Sequence, residues 1–263
     1  MIGGQKVTIV CGAMNRTEHL RVACSSWLQR PEVDEIVIVD WSSEPLVAIQ
    51  DKIVMRVRVL GQKYWCLSKC YNLALSMVTE GLVLRLDADD CLNPDFFDKH
   101  PFGQPLTTKE FYCLDIMTIK NDNEGCLMGV VYAPIELFKE VNGYNERLVL
   151  YGHDDHDLRE RMRAIATQRN LNGASLFHQP HSADVRQIHE RPATAEELAV
   201  PKGTSWQTTF IKTARSAEIN SHLAKIRPWS KQDLQTRWVV RASNVDARWV
   251  ICSEETRSSI GDE

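Results

Sequence analysis

Between Lys6 and Asp87, short β-rich apolar runs alternate with segments whose apolar residues recur every three or four positions. The runs are KVTIVCG (Lys6 to Gly12), EIVIVD (Glu35 to Asp40), MRVRVLG (Met55 to Gly61) and LVLRLD, which ends on Asp87. Each has the make-up of a buried strand. After the first run, Leu20, Ala23, Cys24, Trp27 and Leu28 share one helical face, with Thr17 placed to cap the helix. Leu67, Tyr71, Ala74, Leu75 and Val78 mark a second helix, which Gly81 stops before the fourth run. Helices between strands supply the crossovers that parallel pairing needs. The pattern therefore predicts an α/β fold with a mostly parallel sheet and right-handed crossovers. At 263 residues the chain suffices for one large domain or a domain with an appendage.

Open parallel sheets bind ligands beyond the carboxyl ends of their strands. Here those ends carry Asn15–Arg16, Asp40–Trp41 and the trio Asp87, Asp89 and Asp90. No GxGxxG follows the first strand and no GxxxxGKS/T occurs, so dinucleotide and P-loop readings lose their support. In LDADD, Asp87 and Asp89 project to the same side of an extended chain. Two close carboxylates raise each other's pKa unless a hard cation such as Mg²⁺ or Mn²⁺ neutralises them. The same residues before Asn93–Pro94 also make good turn chemistry.

YGHDDHDLRERM gathers acids where a helix begins, and the helix dipole favours them there. Asp157 and Arg161, four apart, can pair along the helix face. That leaves Asp154 and Asp155 without a structural reason, and Gly152 before them permits a sharp turn. In SLFHQPHS, His178 follows an apolar run and His181 comes three residues later, with His189 beyond. Either histidine can be a ligand or a structural residue.

The rest of the second half reads less sharply. FYCLDIMTI (Phe111 to Ile119) and LMGVVYA (Leu127 to Ala133) predict strands around a turn at NDNEG. PIELFKEVNGYN predicts a short helix between Pro134 and Gly143. TTFIKTARSAEINSHLAKI predicts an amphipathic helix, RWVVRASNVDARWVICSE a hairpin around Asn244–Asp246, and ETRSSIGDE a loose tail. A net charge of −4 gives no electrostatic reason for a nucleic-acid partner. No apolar run is long enough to cross a bilayer, and MIGGQKVTIVCG lacks a signal-peptide layout. None of the eight cysteines falls in a CxxC pair, and Cys11, Cys70 and Cys113 sit inside apolar patterns. They read as reduced core thiols, with the cytoplasm as the compartment.

In their order, these pieces resemble the nucleotide-sugar glycosyltransferases of the GT-A fold. The likeness is broadly to family 2 and, over the second half, to the β-1,4-galactosyltransferase group. It runs from about residue 5 to residue 190 and is most specific over Asn142 to Met162. There the group's pattern reads N-G-F/Y, then W-G-W/G-E-D-D-D, an apolar residue and R-L/M. The resemblance implies a GT-A domain over 1–192, its nucleotide-binding half at about 1–100 and its acceptor-binding half at about 101–192, with a C-terminal extension over 193–263. It implies that Asn15 and Arg16 meet the nucleotide, Asp40 the base, and Asp87 the donor. It makes Asp89 a metal ligand for Mn²⁺ or Mg²⁺, with His178, or alternatively His181, as the late ligand. Gly129 falls where a small residue lets the donor sugar approach. Asp155 matches the catalytic base of inverting members, and Asp154 the acid that binds sugar hydroxyls. Tyr151 stands where the group has a Trp that stacks on the acceptor, Asp154 where it has Glu, and His153 where it has a small residue. The implied partners are a nucleoside diphosphate sugar, UDP-linked by preference, and a carbohydrate or glycoconjugate acceptor.

Two rivals remain at this level. HDDHD resembles the histidine–aspartate signature of metal phosphohydrolases, although that architecture is all-helical. A non-catalytic nucleotide-sugar-binding module is the other.

Overall fold

In the computed structural model, which describes residues 1–103, 109–182, 189–202, 214–244 and 248–254, the four apolar runs form four parallel strands. These are β1 (Val7–Ala13), β2 (Glu35–Trp41), β3 (Val54–Val59) and β4 (Leu82–Asp87), side by side in the order β3-β2-β1-β4. Their alternate residues feed two cores, one on each face of the sheet. Ile9, Ile36, Ile38 and Leu84 meet Leu20, Ala23 and Trp27 of helix α1 (Thr17–Leu28). Val10, Val37 and Val83 meet Tyr71, Ala74 and Leu75 of helix α2 (Leu67–Ser76). Each fully buried aliphatic side chain contributes about 1.5–3 kcal/mol, so this layering fixes the register firmly. Gly81, at φ +87°, makes the turn into β4, and a Cβ there would stand 2.2 Å from the Lys6 carbonyl oxygen. Thr17 does not cap α1. The chain turns at Asn15 (φ +56°), Arg16 takes the N-cap position, and Thr17 is already the first helical residue.

Beyond Asp87 a three-residue strand β5 (Asp90–Leu92) and the one-turn helix α3 (Phe96–Lys99) lead to β6 (Glu110–Cys113). The segment NDNEG is not a hairpin turn. Asn121 Oδ1 accepts the Glu124 N–H at 3.0 Å while the Glu124 carboxylate accepts the Lys120 N–H at 2.8 Å. The Asn121 cap starts helix α4 (Asp122–Cys126), and the Glu124 carboxylate ties down the residue before it. β6 thus ends at Cys113, well short of Ile119. It still pairs antiparallel with β7 (Val131–Pro134), which in turn pairs antiparallel with β4. Helix α5 (Ile135–Glu140) runs from Pro134 and is followed by Gly143 at φ +59°. Helix α6 (Asp154–Arg163) carries the acidic segment, and β8 (Thr167–Asn170) closes this edge parallel to β6. β9 (Leu176–His178) pairs with β5 in a separate two-stranded sheet.

The C-terminal part joins the same body. Helix α7 (Ala214–Ile226) docks on the turn before α6: Asn220, fully buried, donates to the carbonyls of Leu150 at 2.8 Å and Gly152 at 2.7 Å. β10 (Trp238–Asn244) and β11 (Trp249–Glu254) pair antiparallel as a hairpin. β11 then adds to β3 in parallel, giving the nine-stranded order β10-β11-β3-β2-β1-β4-β7-β6-β8. The first residues of the expected helix (208–213), the hairpin tip at 245–247 and the tail at 255–263 lie outside the described residues. Trp41 is core: its Nε1 donates to Tyr64 O at 2.9 Å and its ring meets Trp65 and Trp238 edge-on. None of the eight cysteines, all among the described residues, forms a disulfide. Among the described residues no helix is long and apolar enough to cross a membrane.

Candidate active site

The chain leaves β4 at Asp87, turns through Ala88 and Asp89, and returns as β5. β5 and β9 pair in the register Asp90↔His178, Cys91↔Phe177, Leu92↔Leu176, which delivers a distant histidine to the acids. α4 fastens β9 from behind, Asn123 Oδ1 accepting the His178 N–H at 2.7 Å. The next residue, Gln179, donates its N–H to Asp89 O at 2.8 Å and carries the chain on to His181. His178 Nδ1 lies 3.5 Å from Asp89 Oδ1, and His181 Nε2 lies 3.0 Å from Asp89 Oδ2. One ligand atom from each of Asp89, His178 and His181 lies within 4.8 Å of the other two. A carboxylate and two imidazoles at this spacing suit a divalent transition ion. Both histidines converge on Asp89.

Asp90, fully buried, turns Oδ1 to His178 Nδ1 at 3.0 Å and accepts the Asp87 N–H on Oδ2 at 3.0 Å. A carboxylate behind an imidazole sets the ring's orientation and tautomer. Burial pushes the Asp90 carboxyl up to about 7, against the pull of His178. Burial also opposes a charge on His178, but the Asp90 hydrogen bond and the charges of Asp89, Asp90 and Asp87 outweigh it and raise the imidazole.

On the α2 face of β4 sits a cation the sequence reading passed over. Arg85 is fully buried, with Nη1 3.0 Å from Asp87 Oδ2 and Nη2 3.6 Å from Asp155 Oδ1. Its guanidinium lies 4.1 Å from the centre of the Tyr71 ring. Burial disfavours its charge, but Asp155 and Asp87 more than restore it. Two tyrosine hydroxyls hold the acids from the other side: Tyr71 donates to Asp87 Oδ1 at 3.0 Å, and Tyr144 to Asp155 Oδ1 at 3.1 Å. Asp155 reaches this point because Gly152 (φ +89°) and His153 (φ +72°) turn the chain abruptly into α6. Asp157 is spoken for, as its spacing predicts, by Arg161 through hydrogen bonds of 2.9 and 2.7 Å. A signal for Arg85 existed. It is the charge inside LVLRLD, two residues before Asp87 and so on the same side of the strand.

The other residues singled out lie around these two centres. Arg16 Nη1 stands 3.8 Å from Asp89 Oδ2. Asn15 knits the adjoining loop: its N–H donates to Ser43 Oγ at 2.9 Å, its Oδ1 accepts the Glu44 N–H at 2.7 Å, and its Nδ2 lies 3.1 Å from His189 Nε2. Asp40 is buried and accepts from Ser43 N, Val47 N and Arg58 Nη1 at 2.9, 3.2 and 2.6 Å. It orders the loop that follows β2. Gly129 lies against Arg85, where a Cβ would come within 2.1 Å of Nη1. Tyr151 and Asp154 line a small cleft with Trp65, Glu190 and Arg191. Burial and the Asp155 charge push the Asp154 carboxyl up to about 8. HDDHD occupies the start of one helix in a strand-rich fold, and among the described residues it joins no group of metal ligands drawn from several helices, as the phosphohydrolase signature requires.

Comparison with known proteins agrees with this fold. Residues 8–100 match the family model for glycosyl transferase family 2, and residues 111–177 match the model for the N-terminal domain of galactosyltransferase. No curated protein matches the chain. Among solved structures, the chain is similar to the catalytic domain of Drosophila β1,4-galactosyltransferase 7 in complex with xylobiose, at 11% identity and a TM-score of 0.55. It is equally similar to a mutant of that enzyme in complex with manganese, UDP-Gal and xylobiose, at 10% identity and a TM-score of 0.54. Both alignments span 95% of this chain and 92% of the other. Fold and family matches together define a glycosyltransferase with the GT-A fold. Its first half is similar to family 2 and its second half to the galactosyltransferase domain.

Proposed function

We propose that the chain transfers a sugar from a nucleoside diphosphate sugar, preferentially a UDP-sugar, to an acceptor hydroxyl with inversion at the anomeric carbon. The observation that carries this reading is the convergence of Asp89, His178 and His181 beside the Asp87–Arg85–Asp155 array. The first group would hold a divalent ion, and two imidazoles among three ligands favour Mn²⁺ over Mg²⁺. Bound there, the ion supplies Lewis-acid neutralisation of the diphosphate leaving group. Arg16, beside Asp89, adds positive charge on the same side, and Asn15 and Asp40 shape the loop that receives the nucleotide. Asp87 faces the donor, with Gly129 close by.

Asp155 is the general base. Tyr144 holds its Oδ1, which supports Oδ2 as the atom that takes the acceptor proton. Asp154, with its raised pKa, can donate to as well as accept from sugar hydroxyls, and Tyr151 offers a ring face to the acceptor. Residues 1–192 form the catalytic unit in this reading, with the nucleotide at about 1–100 and the acceptor at about 101–192. Eight cysteines without a disulfide support a cytoplasmic site of action. The neighbour's complexes with UDP-Gal and xylobiose support the donor and acceptor classes.

A base contributes about 10²–10⁴-fold, so Asp155→Asn loses that much kcat while binding of UDP with Mn²⁺ survives. Full turnover by that variant, or a product with retained configuration, contradicts the assignment. A single displacement inverts.

A further inference from the structure

Arg85 touches both sides of the reaction and can touch no substrate. It is fully buried, yet it stands between the donor-side acid Asp87 and the proposed base Asp155. None of its three side-chain nitrogens makes an aligned hydrogen bond. It is held instead by two carboxylate charges and by the Tyr71 face. Two acids drawn to one guanidinium repel, and the buried cation between them is screened by solvent less than they are. One cation between them removes the repulsion and ties their positions together. The surroundings are shaped to this cation. A Cβ on Gly129 would fall 2.1 Å from Nη1, 2.9 Å from Cζ and 3.1 Å from Asp87 Oδ2. The backbone at Gly129 therefore closes directly over the guanidinium.

We propose that Arg85 is a positioning residue that holds the donor-side acid Asp87 and the base Asp155 as one unit, so that the base is aligned with the donor through a buried guanidinium. The proposal rests on Asp155 being the base. A planar fork can address two carboxylates at once, which the point charge of lysine cannot. Loss of the fork lets Asp155 drift while leaving the metal group of Asp89, His178 and His181 intact.

The test is a double-mutant cycle on the full chain with Mn²⁺, using a panel of UDP-sugars with xylobiose, free monosaccharides and water as acceptors. Arg85→Lys is expected to lose about 10²-fold in kcat, the scale of a misplacement of about 1 Å, with donor KM and Mn²⁺–UDP binding unchanged because the Tyr71 hydroxyl still holds Asp87. In the Asp155→Asn background the same substitution costs nothing further, because Arg85 acts through that side chain. Gly129→Ala pushes on the guanidinium from the opposite side without changing charge, and serves if Arg85→Lys does not fold. A displaced guanidinium lowers kcat only while Asp155 is present; a blocked donor raises donor KM with or without it. Unchanged kcat in Arg85→Lys, or a loss that simply multiplies with that of Asp155→Asn, overturns the coupling. Full turnover by Asp155→Asn alone overturns the base assignment instead.

Discussion

Asp154 is a carboxyl in an unusual position: buried at the first turn of α6, next to another acid, with a pKa pushed up to about 8 by burial and then by Asp155. An unfolded aspartate titrates near about 3.9. Between those values the folded state binds a proton that the unfolded state does not. The stability tied to this group is therefore fully present below about pH 4 and is lost as pH rises through about 8. Asp154→Asn removes that slope. Melting temperatures of the metal-free protein and the variant, followed across this window, should draw together with rising pH and then favour the variant; parallel curves contradict the account. At this scale much was legible. Asp87, Asp89, Asp155 and the two histidines each stand out by residue type and position. Tyr71 and Tyr144 do not, and Arg85 shows only as a charge inside an apolar strand, with nothing to mark its partner in α6. Their importance lies in contacts between β4, α2 and the segment before α6, and no local spacing records such contacts.

Elements tell a similar story. The four parallel strands and two helices before Asp87 are readable because each buries a whole face, and burial imposes a period. The strands β5 and β9 are three residues each, too short to show any period, yet their register is what carries His178 to Asp90. NDNEG reads as a turn by composition and folds as a helix start, because Asn121 caps it and Glu124 ties down the residue before the cap. α7 lies outside both matched segments and nonetheless holds the turn that aims Asp155. Asn220 donates to Leu150 O and Gly152 O, and a Cβ on Gly152 would stand 3.0 Å from Ala217 Cβ. Asn220→Ala leaves two carbonyls without a donor and should cost about 1–3 kcal/mol. Because the turn loosens with it, kcat should fall while Mn²⁺–UDP affinity holds. Denaturant unfolding and calorimetry separate the two effects. A loss of nucleotide affinity equal to the loss of kcat would mean that α7 supports the sheet generally.

At the scale of the whole molecule, one sheet edge gathers groups contributed by β4, β5, β9 and the start of α6. The C-terminal hairpin extends the sheet at its far side, next to β3. The sheet's general plan was legible from the strand–helix alternation; the added hairpin strands were legible as a hairpin, but not as neighbours of β3, because parallel pairing between residues so far apart leaves no local mark. The account as a whole depends on a divalent ion linking this edge to a diphosphate. Its most direct test is a thermal-shift measurement with Mn²⁺ alone, UDP alone, both together and both with chelator, on the native chain and on Asp89→Ala. The account predicts a joint stabilisation of about 2.7 kcal/mol at a hundred times the dissociation constant, larger with Mn²⁺ than with Mg²⁺ and abolished by chelator or by Asp89→Ala. A UDP shift that persists undiminished in chelator, or in Asp89→Ala, would contradict it.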